Sequence, residues 1–278
     1  MQSAAELMDG INREAWRAQA SIEWFRTLEG WTDAGEQAAT ESIAAEVKGQ
    51  PILDLGVGAG RTVPLLRRIS QDYTAIDYTP ELVAVCQKKY PDLRVFNGDA
   101  RDLSAFADES FALVVFSFNG IDAVNPEDRS KVLREAHRVL RSGGILLFSA
   151  HNQRGPGHGE HFKLGVYLTR NPFKLALRIA RAWRHSLRTL ANYWRYSRLN
   201  QRADGYSIMN AAAHNHGIVI HYITLEKQCE QLAVAGFRPD PKIYGNVNGQ
   251  LISNGDNTSR CMWFHFIARK PGASVAAA

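Results

Sequence analysis

Short apolar runs alternate with amphipathic stretches between Gln50 and His151. Five strands are predicted there, over 51–56, 73–77, 93–97, 111–118 and 144–151. The last two are nearly continuous apolar runs, which is typical of parallel strands buried on both faces. Helix starts are indicated at Thr79 and Asn125, because each can act as an N-cap and is followed by proline. Strands that alternate with helices predict βαβ units around a parallel sheet.

The alternation defines the domain organisation. Residues 1–50 are predicted to form an N-terminal helical segment, and 51–152 the core. The pattern breaks over 153–224, which is predicted to be a basic helical insertion after the fifth strand. It resumes over 225–270 with a helix and a final strand, and 271–278 is predicted to be a disordered tail. The expected fold is α/β, a seven-stranded mostly parallel sheet flanked by helices.

Composition narrows the class of protein. With 45% hydrophobic and 22% charged residues, the chain has ample material for a globular core. No apolar run approaches the roughly 18 residues of a membrane-spanning helix. The N-terminus carries acids and no apolar segment, so no secretory signal is expected. Cys86, Cys229 and Cys261 are scattered, which predicts reduced thiols in a cytoplasmic protein.

A glycine-rich loop is predicted where the first strand turns into a helix. It comprises Asp54, Gly56, Gly58 and Gly60. Glycines at such a turn allow a tight bend and the close approach of a ligand to the backbone. A dinucleotide-binding GxGxxG pattern would need glycine at the position of Arg61, so the GxGxG spacing favours a different cofactor.

Together with the residues that follow the second, third and fourth strands, this loop resembles the class I (Rossmann-like) S-adenosylmethionine (SAM)-dependent methyltransferases. Asp77 ends the second strand, where the resemblance implies an acid that binds the ribose hydroxyls. The next residue, Tyr78, is also expected to bind the cofactor. After the third strand, Asp99 is expected to accept a hydrogen bond from the adenine amine. A backbone N–H of Ala100 or Arg101 is expected to donate to an adenine ring nitrogen.

The resemblance continues after the fourth strand. Ser117 stands where the family places the methionine part of SAM, and Gly143-Gly144 precedes the fifth strand as in the family. The matching segments cover roughly 40–152 and 222–270. They imply SAM as the cofactor and methyl transfer as the activity.

Histidines are the candidate catalytic residues on the acceptor side. In an open α/β sheet the binding crevice lies at the carboxyl ends of the strands, so His151 and Asn152 are expected to point into it. His151 is the first candidate for a general base, with His214, His216 and His221 behind it, and a purely structural role for His151 stays open. No matching carboxylate pair accompanies these histidines, so no metal site is predicted.

The insertion concentrates the positive charge of the chain. Ten Lys or Arg and no acid lie between Glu160 and Asp204, and the basic helix is predicted within 163–202. Its expected apolar face comprises Leu175, Ile179, Trp183, Leu187, Leu190 and Trp194. Its expected basic face comprises Lys174, Arg178, Arg181, Arg188, Arg195 and Arg202. The helix is interpreted as a cap over the acceptor pocket.

These observations predict a SAM-dependent methyltransferase that modifies an O or N atom of a small-molecule acceptor. The basic face leaves open an anionic acceptor or a lipid reached at a membrane surface. RNA is ranked last, because no RNA-binding module is appended. A SAM-binding sensor is the non-enzymatic alternative. The sequence does not define the oligomeric state or the acceptor.

Overall fold

The computed structural model describes residues 3–159, 174, 186–253 and 255–272. The helices are α1 (Ala4–Arg17), α2 (Gln19–Arg26), α3 (Ala34–Ala44), α4 (Val63–Leu66), α5 (Pro80–Lys89), α6 (Pro126–Val139), α7 (described over 186–196), α8 (Ala213–His216) and α9 (Leu225–Val234). The strands are β1 (Ile52–Leu55), β2 (Tyr73–Asp77), β3 (Arg94–Asn97), β4 (Phe111–Phe116), β5 (Leu140–Asn152), β6 (Gln201–Ala203), β7 (Tyr206–Ala211), β8 (Ile218–Ile223), β9 (Lys242–Gly245) and β10 (Trp263–Arg269). In the described residues, no helix is both long and apolar enough to cross a bilayer.

All ten strands belong to one sheet. Strands β3, β2, β1, β4 and β5 lie side by side and parallel. Strand β10 continues the sheet antiparallel to β5, and β9 pairs with β10. These seven strands confirm the predicted α/β class. The predicted strand count was wrong, because β6, β7 and β8 bring it to ten in the described residues.

The three extra strands lie in the region predicted as a helical insertion. Asp204 and Gly205 form a two-residue hairpin turn between β6 and β7, and Gly205 has a φ of +77°. This Asp-Gly pair between short strands is a hairpin signal that the helical prediction did not take into account. Strand β8 joins the sheet through His151 and Asn152 of β5, beyond the last residue that β5 pairs with β4. The meander β6–β8 therefore stands above the carboxyl edge of β4.

The core has two layers because alternate residues of each strand face opposite sides of the sheet. On one face, Leu53 and Val114 pack with α6 residues such as Leu133. On the other face, Ile52 and Leu113 pack with residues of α3 and α5. The nearly continuous apolar runs of β4 and β5 are thus buried on both faces, as predicted for parallel strands.

Helix α1 is attached to the carboxyl edge of the sheet by Asn12. The buried Asn12 amide donates to the carbonyls of Ala123 (2.7 Å) and Val219 (2.8 Å), and its oxygen accepts from the Val219 N–H (2.9 Å). Apolar contacts around Met8 and Ile11 complete the attachment. A helix of the N-terminal segment therefore forms part of the wall above the strands.

The described part of α7 does not bury the face predicted to be apolar. Leu187, Leu190 and Trp194 are exposed, whereas Thr189 and Tyr196 are buried. The expectation that these three residues cover a pocket was therefore wrong. The rest of the predicted apolar face, Leu175, Ile179 and Trp183, lies outside the described residues, as do Arg178, Arg181 and the tail residues 273–278.

Candidate active site

A cavity lies at the carboxyl ends of β1, β2, β4 and β5, beneath α1, α2 and β8. Nine residues predicted as site residues line it: Gly56, Gly58, Asp77, Tyr78, Asp99, Ala100, Arg101, Ser117 and His151. Two predicted residues, Asp54 and Gly60, are absent from the lining among the described residues. The topology thus brings the ends of separate strands to one place, as expected for an open α/β sheet.

Two glycines of the loop serve different purposes. Gly58 lines the cavity with a φ of +57°, and a Cβ there would meet no atom within 4 Å, so its backbone is open to a ligand. Gly60 faces the protein interior. Its φ is +90°, and a Cβ would lie 2.6 Å from the ring of Tyr90. Gly60 therefore lets the loop pack tightly, and Gly58 lets a ligand approach.

Asp54 lies beneath the glycine loop, facing away from the cavity. Its carboxylate accepts hydrogen bonds from the hydroxyls of Thr62 (2.5 Å) and Tyr73 (2.6 Å). Burial raises the pKa of Asp54 to about 6, although the two hydroxyls partly oppose this. In this structure Asp54 supports the loop and is not itself among the described residues that line the cavity.

Asp77 faces the cavity at the end of β2. One carboxylate oxygen accepts from the N–H of Gly58 (2.9 Å) and the other from the N–H of Thr79 (2.8 Å). Burial raises the pKa of Asp77 above its ordinary value despite these bonds. Each oxygen can accept a further hydrogen bond, so the carboxylate suits a diol.

Asp99 is already engaged by two arginines. Its oxygens accept from the backbone N–H and guanidinium of Arg101, and from Arg13 of α1 at 2.9 Å. Burial would raise the pKa of Asp99, but these cations lower it below the ordinary value. The guanidinium of Arg13 also lies over the ring of Tyr78, 4.4 Å from its centroid. Helix α1 thus closes this end of the cavity.

Ser117 lies next to a buried ion pair. Arg61 forms a two-pronged pair with Glu36 of α3, at 2.7 and 2.8 Å, and also donates to the Ser117 hydroxyl. The same guanidinium lies 5.0 Å from the centroid of the Phe118 ring. Arg61 therefore connects the N-terminal helices to the glycine loop and to the end of β4.

His151 is held by Asp122, which lies in a 3-10 turn after β4. The same carboxylate oxygen of Asp122 accepts from the His151 backbone N–H (2.6 Å) and contacts ring nitrogen Nδ1 at 2.8 Å. Because an ionised carboxylate can only accept, Nδ1 carries the proton. Nε2 then carries the lone pair, and it accepts a long hydrogen bond of 3.4 Å from the side-chain amide of Asn119.

Asp122 is itself kept ionised by a buried arginine. Arg129 of α6 is fully buried, and it pairs with Asp122 and donates to Gln228 of α9. Burial would raise the pKa of Asp122, but Arg129 first and then His151 lower it below its ordinary value. The arrangement can orient an imidazole and stabilise its protonated form.

The other candidate residues are placed differently from His151. His214 lines the cavity, but its Nδ1 lies 2.9 Å from the Ser21 hydroxyl. His216 and His221 are buried and do not line the cavity among the described residues. The Asn152 side chain donates to carbonyls of a loop before β10, so the expectation that it points into the crevice was wrong. No cluster of potential metal ligands occurs in the described part of the chain.

Two contributors to the site were missed at the sequence level. Asp122 belongs to no motif, and only the 3-10 turn places it under His151. Trp263, distant in sequence, lines the cavity 6.1 Å from the His151 ring. In the sequence, Phe118-Asn119-Gly120 was the only cue to a turn after β4. In the structure, Phe118 and Asn119 adopt φ values of +53° and +59°. Consecutive left-handed non-glycine residues are strained, and such strain is common at functional sites.

Comparison with known proteins agrees with this geometry. Residues 52–144 match the family model described as a methyltransferase domain. The demethylmenaquinone methyltransferase of Chlorobaculum parvum is 32% identical over 115 residues, which are 41% of this chain and 46% of the relative. A probable SAM-dependent methyltransferase of Mycobacterium tuberculosis is 26% identical over 147 residues, 53% of this chain and 49% of the relative. The part of this chain over residues 52–144 is therefore similar to SAM-dependent methyltransferases.

The methyltransferase fold extends over nearly the whole chain. A Burkholderia thailandensis 1,6-didemethyltoxoflavin-N1-methyltransferase, solved with S-adenosylhomocysteine, superposes with a TM-score of 0.60 at 14% identity. The superposition covers 98% of this chain and 92% of that protein, so the likeness concerns the fold. In sequence, the chain spans about half the length of the curated relatives it matches.

The cofactor of the methyltransferase family fits the residues at this site. Gly58 provides open backbone where a ligand can approach closely. Asp77 provides a buried carboxylate with acceptor capacity left on both oxygens. These are the features that an adenosyl group with a ribose diol requires.

Proposed function

We propose that this protein transfers a methyl group from SAM to an O or N atom of a small-molecule acceptor, with His151 as the general base. The observation that carries the proposal is the His151–Asp122 pair, which opens onto the same cavity as Asp77 and the glycine loop. Bound SAM supplies a methyl group activated by its positively charged sulfur. The protein has to place an acceptor atom in line with that group and remove its proton.

The cofactor end of the cavity extends from the glycine loop to the loop after β3. With SAM bound, Asp77 would hold the two ribose hydroxyls, and Ser117 would lie beside the methionine part. Tyr78 and Ala100 would contact the adenine. Asp99 accepts from the adenine amine only when Arg13 moves away, because the Asp99 oxygens already accept four N–H groups.

At the acceptor end, His151 receives the proton on Nε2. Loss of this proton would leave an electron pair on the acceptor oxygen or nitrogen, which could then take the methyl group that bound SAM would supply. Asp122 stabilises the imidazolium through Nδ1–H, and Arg129 keeps Asp122 ionised. Asp122 is therefore a positioning residue. His151 later returns the proton to solvent.

Matched substitutions of two cavity-lining histidines test the proposal. Asparagine tolerates the left-handed backbone of His214, whose φ is +52°, so both residues can be changed to Asn. We expect His151→Asn to lower kcat by roughly 10²–10⁴-fold, which is the usual contribution of a general base. His214→Asn should retain most of the activity. The assay follows label from SAM into a protein-free metabolite extract.

Two outcomes would contradict this proposal in different ways. If His151→Asn keeps most of the wild-type turnover, His151 has a structural role and alignment alone drives the reaction. If the wild-type protein binds no S-adenosylhomocysteine in calorimetry, the assignment of the cofactor site is wrong. Both variants should bind S-adenosylhomocysteine with near wild-type affinity, since neither histidine belongs to the cofactor end.

A further inference from the structure

Aromatic side chains enclose the part of the cavity beyond the cofactor end. Its ring-bearing lining residues include Trp16, Trp24, Phe25, Phe118 and Trp263. The Phe118 ring lies 6.0 Å from Trp24 and 6.4 Å from Trp263, measured between ring centroids. Trp263 in turn lies 6.1 Å from His151. The rings thus form a continuous aromatic wall from the partly exposed Trp24 to the catalytic base.

Trp263, at one end of this aromatic wall, is fixed by groups outside the cavity. The Trp263 indole N–H donates to Asp33 at 2.7 Å, and the same carboxylate pairs with His265. The polar edge of Trp263 is therefore satisfied by Asp33, and its ring remains as apolar lining. Aliphatic Ile218 and Ile220 of β8 add to the apolar lining. Flat, apolar walls favour a flat ring that can stack or pack edge to face on them.

The cations of the cavity are already neutralised by the protein. Arg61 and Arg101 line it, and they pair with Glu36 and Asp99 respectively. Among the described lining residues, no further Lys or Arg is present. An anionic acceptor would therefore have to displace a carboxylate that is already in place, which favours an uncharged acceptor.

One polar atom beside the base lacks a partner. Asn119 is 8% exposed, lines the cavity, and leaves its side-chain oxygen buried without a hydrogen bond. Its amide nitrogen lies 3.4 Å from His151 Nε2 and donates to it, so the side chain with the unpartnered oxygen directly contacts the proposed base. A buried acceptor without a partner is costly, and a donor on the ligand relieves that cost.

We infer that the acceptor is an uncharged, planar aromatic molecule whose hydroxyl group lies beside Asn119 and His151. The O–H donates to Asn119 Oδ1 on binding, then turns to His151 Nε2 and gives up its proton as this oxygen is methylated. The inference rests on the proposed function and specifies its acceptor. An aromatic hydroxyl is mostly protonated at neutral pH, as tyrosine is, and needs a base before it attacks. A neutral aromatic amine already has a free electron pair and makes less use of the His151–Asp122 pair.

Four probes of similar size test the inference by calorimetry with saturating S-adenosylhomocysteine. They are 2-naphthol, its saturated counterpart decahydro-2-naphthol, the anion 2-naphthoate, and naphthalene. We expect 2-naphthol to bind at least tenfold more tightly than decahydro-2-naphthol and 2-naphthoate, because these lack planarity and neutrality respectively. It should bind several-fold more tightly than naphthalene, which lacks the donor.

A matched pair of variants tests the part played by Asn119. Asn119 and Asn215 both have left-handed backbones, with φ values of +59° and +60°, and glycine tolerates this conformation at either position. Asn119→Gly should remove the preference for 2-naphthol over naphthalene. Asn215→Gly should keep that preference, because Asn215 does not belong to the described cavity lining.

The outcomes separate this inference from the proposed function. Equal binding of 2-naphthol and decahydro-2-naphthol, a preference for 2-naphthoate, or no binding of any probe beside bound S-adenosylhomocysteine overturns the acceptor class. An unchanged preference in Asn119→Gly overturns the role of Asn119. Methylation of 2-naphthylamine but not of 2-naphthol, seen by mass spectrometry, overturns the choice of oxygen. Failure to bind S-adenosylhomocysteine overturns the proposed function itself.

Discussion

Two buried carboxylates on adjacent strands show how position decides the role of a residue. Asp54 on β1 and Asp77 on β2 are both buried, and burial raises the pKa of each. Asp54 is satisfied by two hydroxyls beneath the glycine loop, whereas Asp77 faces the cavity. We therefore expect Asp54 to affect the stability of the fold and Asp77 to affect the binding of the cofactor. The free energy of unfolding tests the first role, and the Kd of S-adenosylhomocysteine tests the second.

For Asp77, the test is affinity for S-adenosylhomocysteine. Asp77→Asn keeps one acceptor oxygen but removes the charge, so both ribose hydrogen bonds weaken. Hydrogen bonds to charged groups contribute about 1.5–3 kcal/mol each, so we expect at least a tenfold higher Kd in calorimetry. Asp72→Asn, in the exposed segment before the same strand, is the matched control and should leave the Kd unchanged. An unchanged Kd in Asp77→Asn would remove the ribose assignment.

For Asp54, the test is stability as a function of pH. Its pKa in the folded protein is about 6, against an ordinary value of 3.8, so ionisation of Asp54 destabilises the fold as the pH rises through this window. Asp54→Asn removes that ionisation. Relative to wild type, its free energy of unfolding should therefore increase by about 2 kcal/mol between about pH 4.5 and about pH 7.5. Urea denaturation at both pH values measures this, and a constant difference would contradict the burial argument.

Among the elements, α7 is the one whose buried face differs most from the face that its hydrophobic pattern predicts. Periodicity placed Leu187, Leu190 and Trp194 on the buried side, but these residues are exposed and Tyr196 is buried. Tyr196 packs in one cluster with Met8 and Ile11 of α1 and with residues of β7 and β8. In its described part, α7 therefore packs on the fold through Tyr196 at its C-terminal end, where the meander begins.

A pair of alanine substitutions tests this orientation of α7. Tyr196→Ala removes a buried aromatic ring and should lower the free energy of unfolding by about 2–4 kcal/mol. Trp194→Ala removes a larger side chain that is 72% exposed, so it should change the same quantity by at most about 0.5 kcal/mol. Chemical denaturation compares the two variants. A larger loss of unfolding free energy in Trp194→Ala than in Tyr196→Ala would show that the face with Leu187, Leu190 and Trp194 is the buried one after all.

In the whole molecule, the N-terminal helices complete the methyltransferase core. Helix α1 contributes Asn12 and Arg13 to the region above the strands, and α3 contributes Glu36. The ion pair between Glu36 and Arg61 is almost completely buried, with side chains 4% and 6% exposed. Breaking a buried pair leaves an uncompensated charge, which costs far more than the loss of an exposed pair.

The pair between Glu36 and Arg61 has an exposed counterpart for comparison. Glu46 and Arg269 form the same two-pronged arrangement at the surface. Glu36→Gln should lower the free energy of unfolding by about 3–5 kcal/mol, and Glu36→Gln with Arg61→Gln should recover part of that loss. Glu46→Gln should cost less than about 1 kcal/mol. Equal losses at the two sites, measured by denaturation, would show that burial of the pair is unimportant.

The sequence alone determined the parts of this protein that depend on local pattern. The alternation of short apolar runs with amphipathic stretches predicted the five parallel strands, and the nearly continuous runs of β4 and β5 predicted that these two are buried on both faces. The GxGxG loop and Asp77 predicted the cofactor end, because they flank strands whose order along the chain places their carboxyl ends together. His151 was predicted for the same reason, and its place in the cavity follows from the end of β5.

Tertiary structure alone decided which group assists each of these residues and which face of an element is buried. Asp122 and Asn119 reach His151 through a strained turn, and Trp263 arrives from a strand more than a hundred residues later. The meander β6–β8 covers the carboxyl edge although its segment was predicted to be helical. The hydrophobic pattern of a segment shows which of its residues are suited to burial. It does not show which distant part of the chain covers them, because that depends on tertiary contacts.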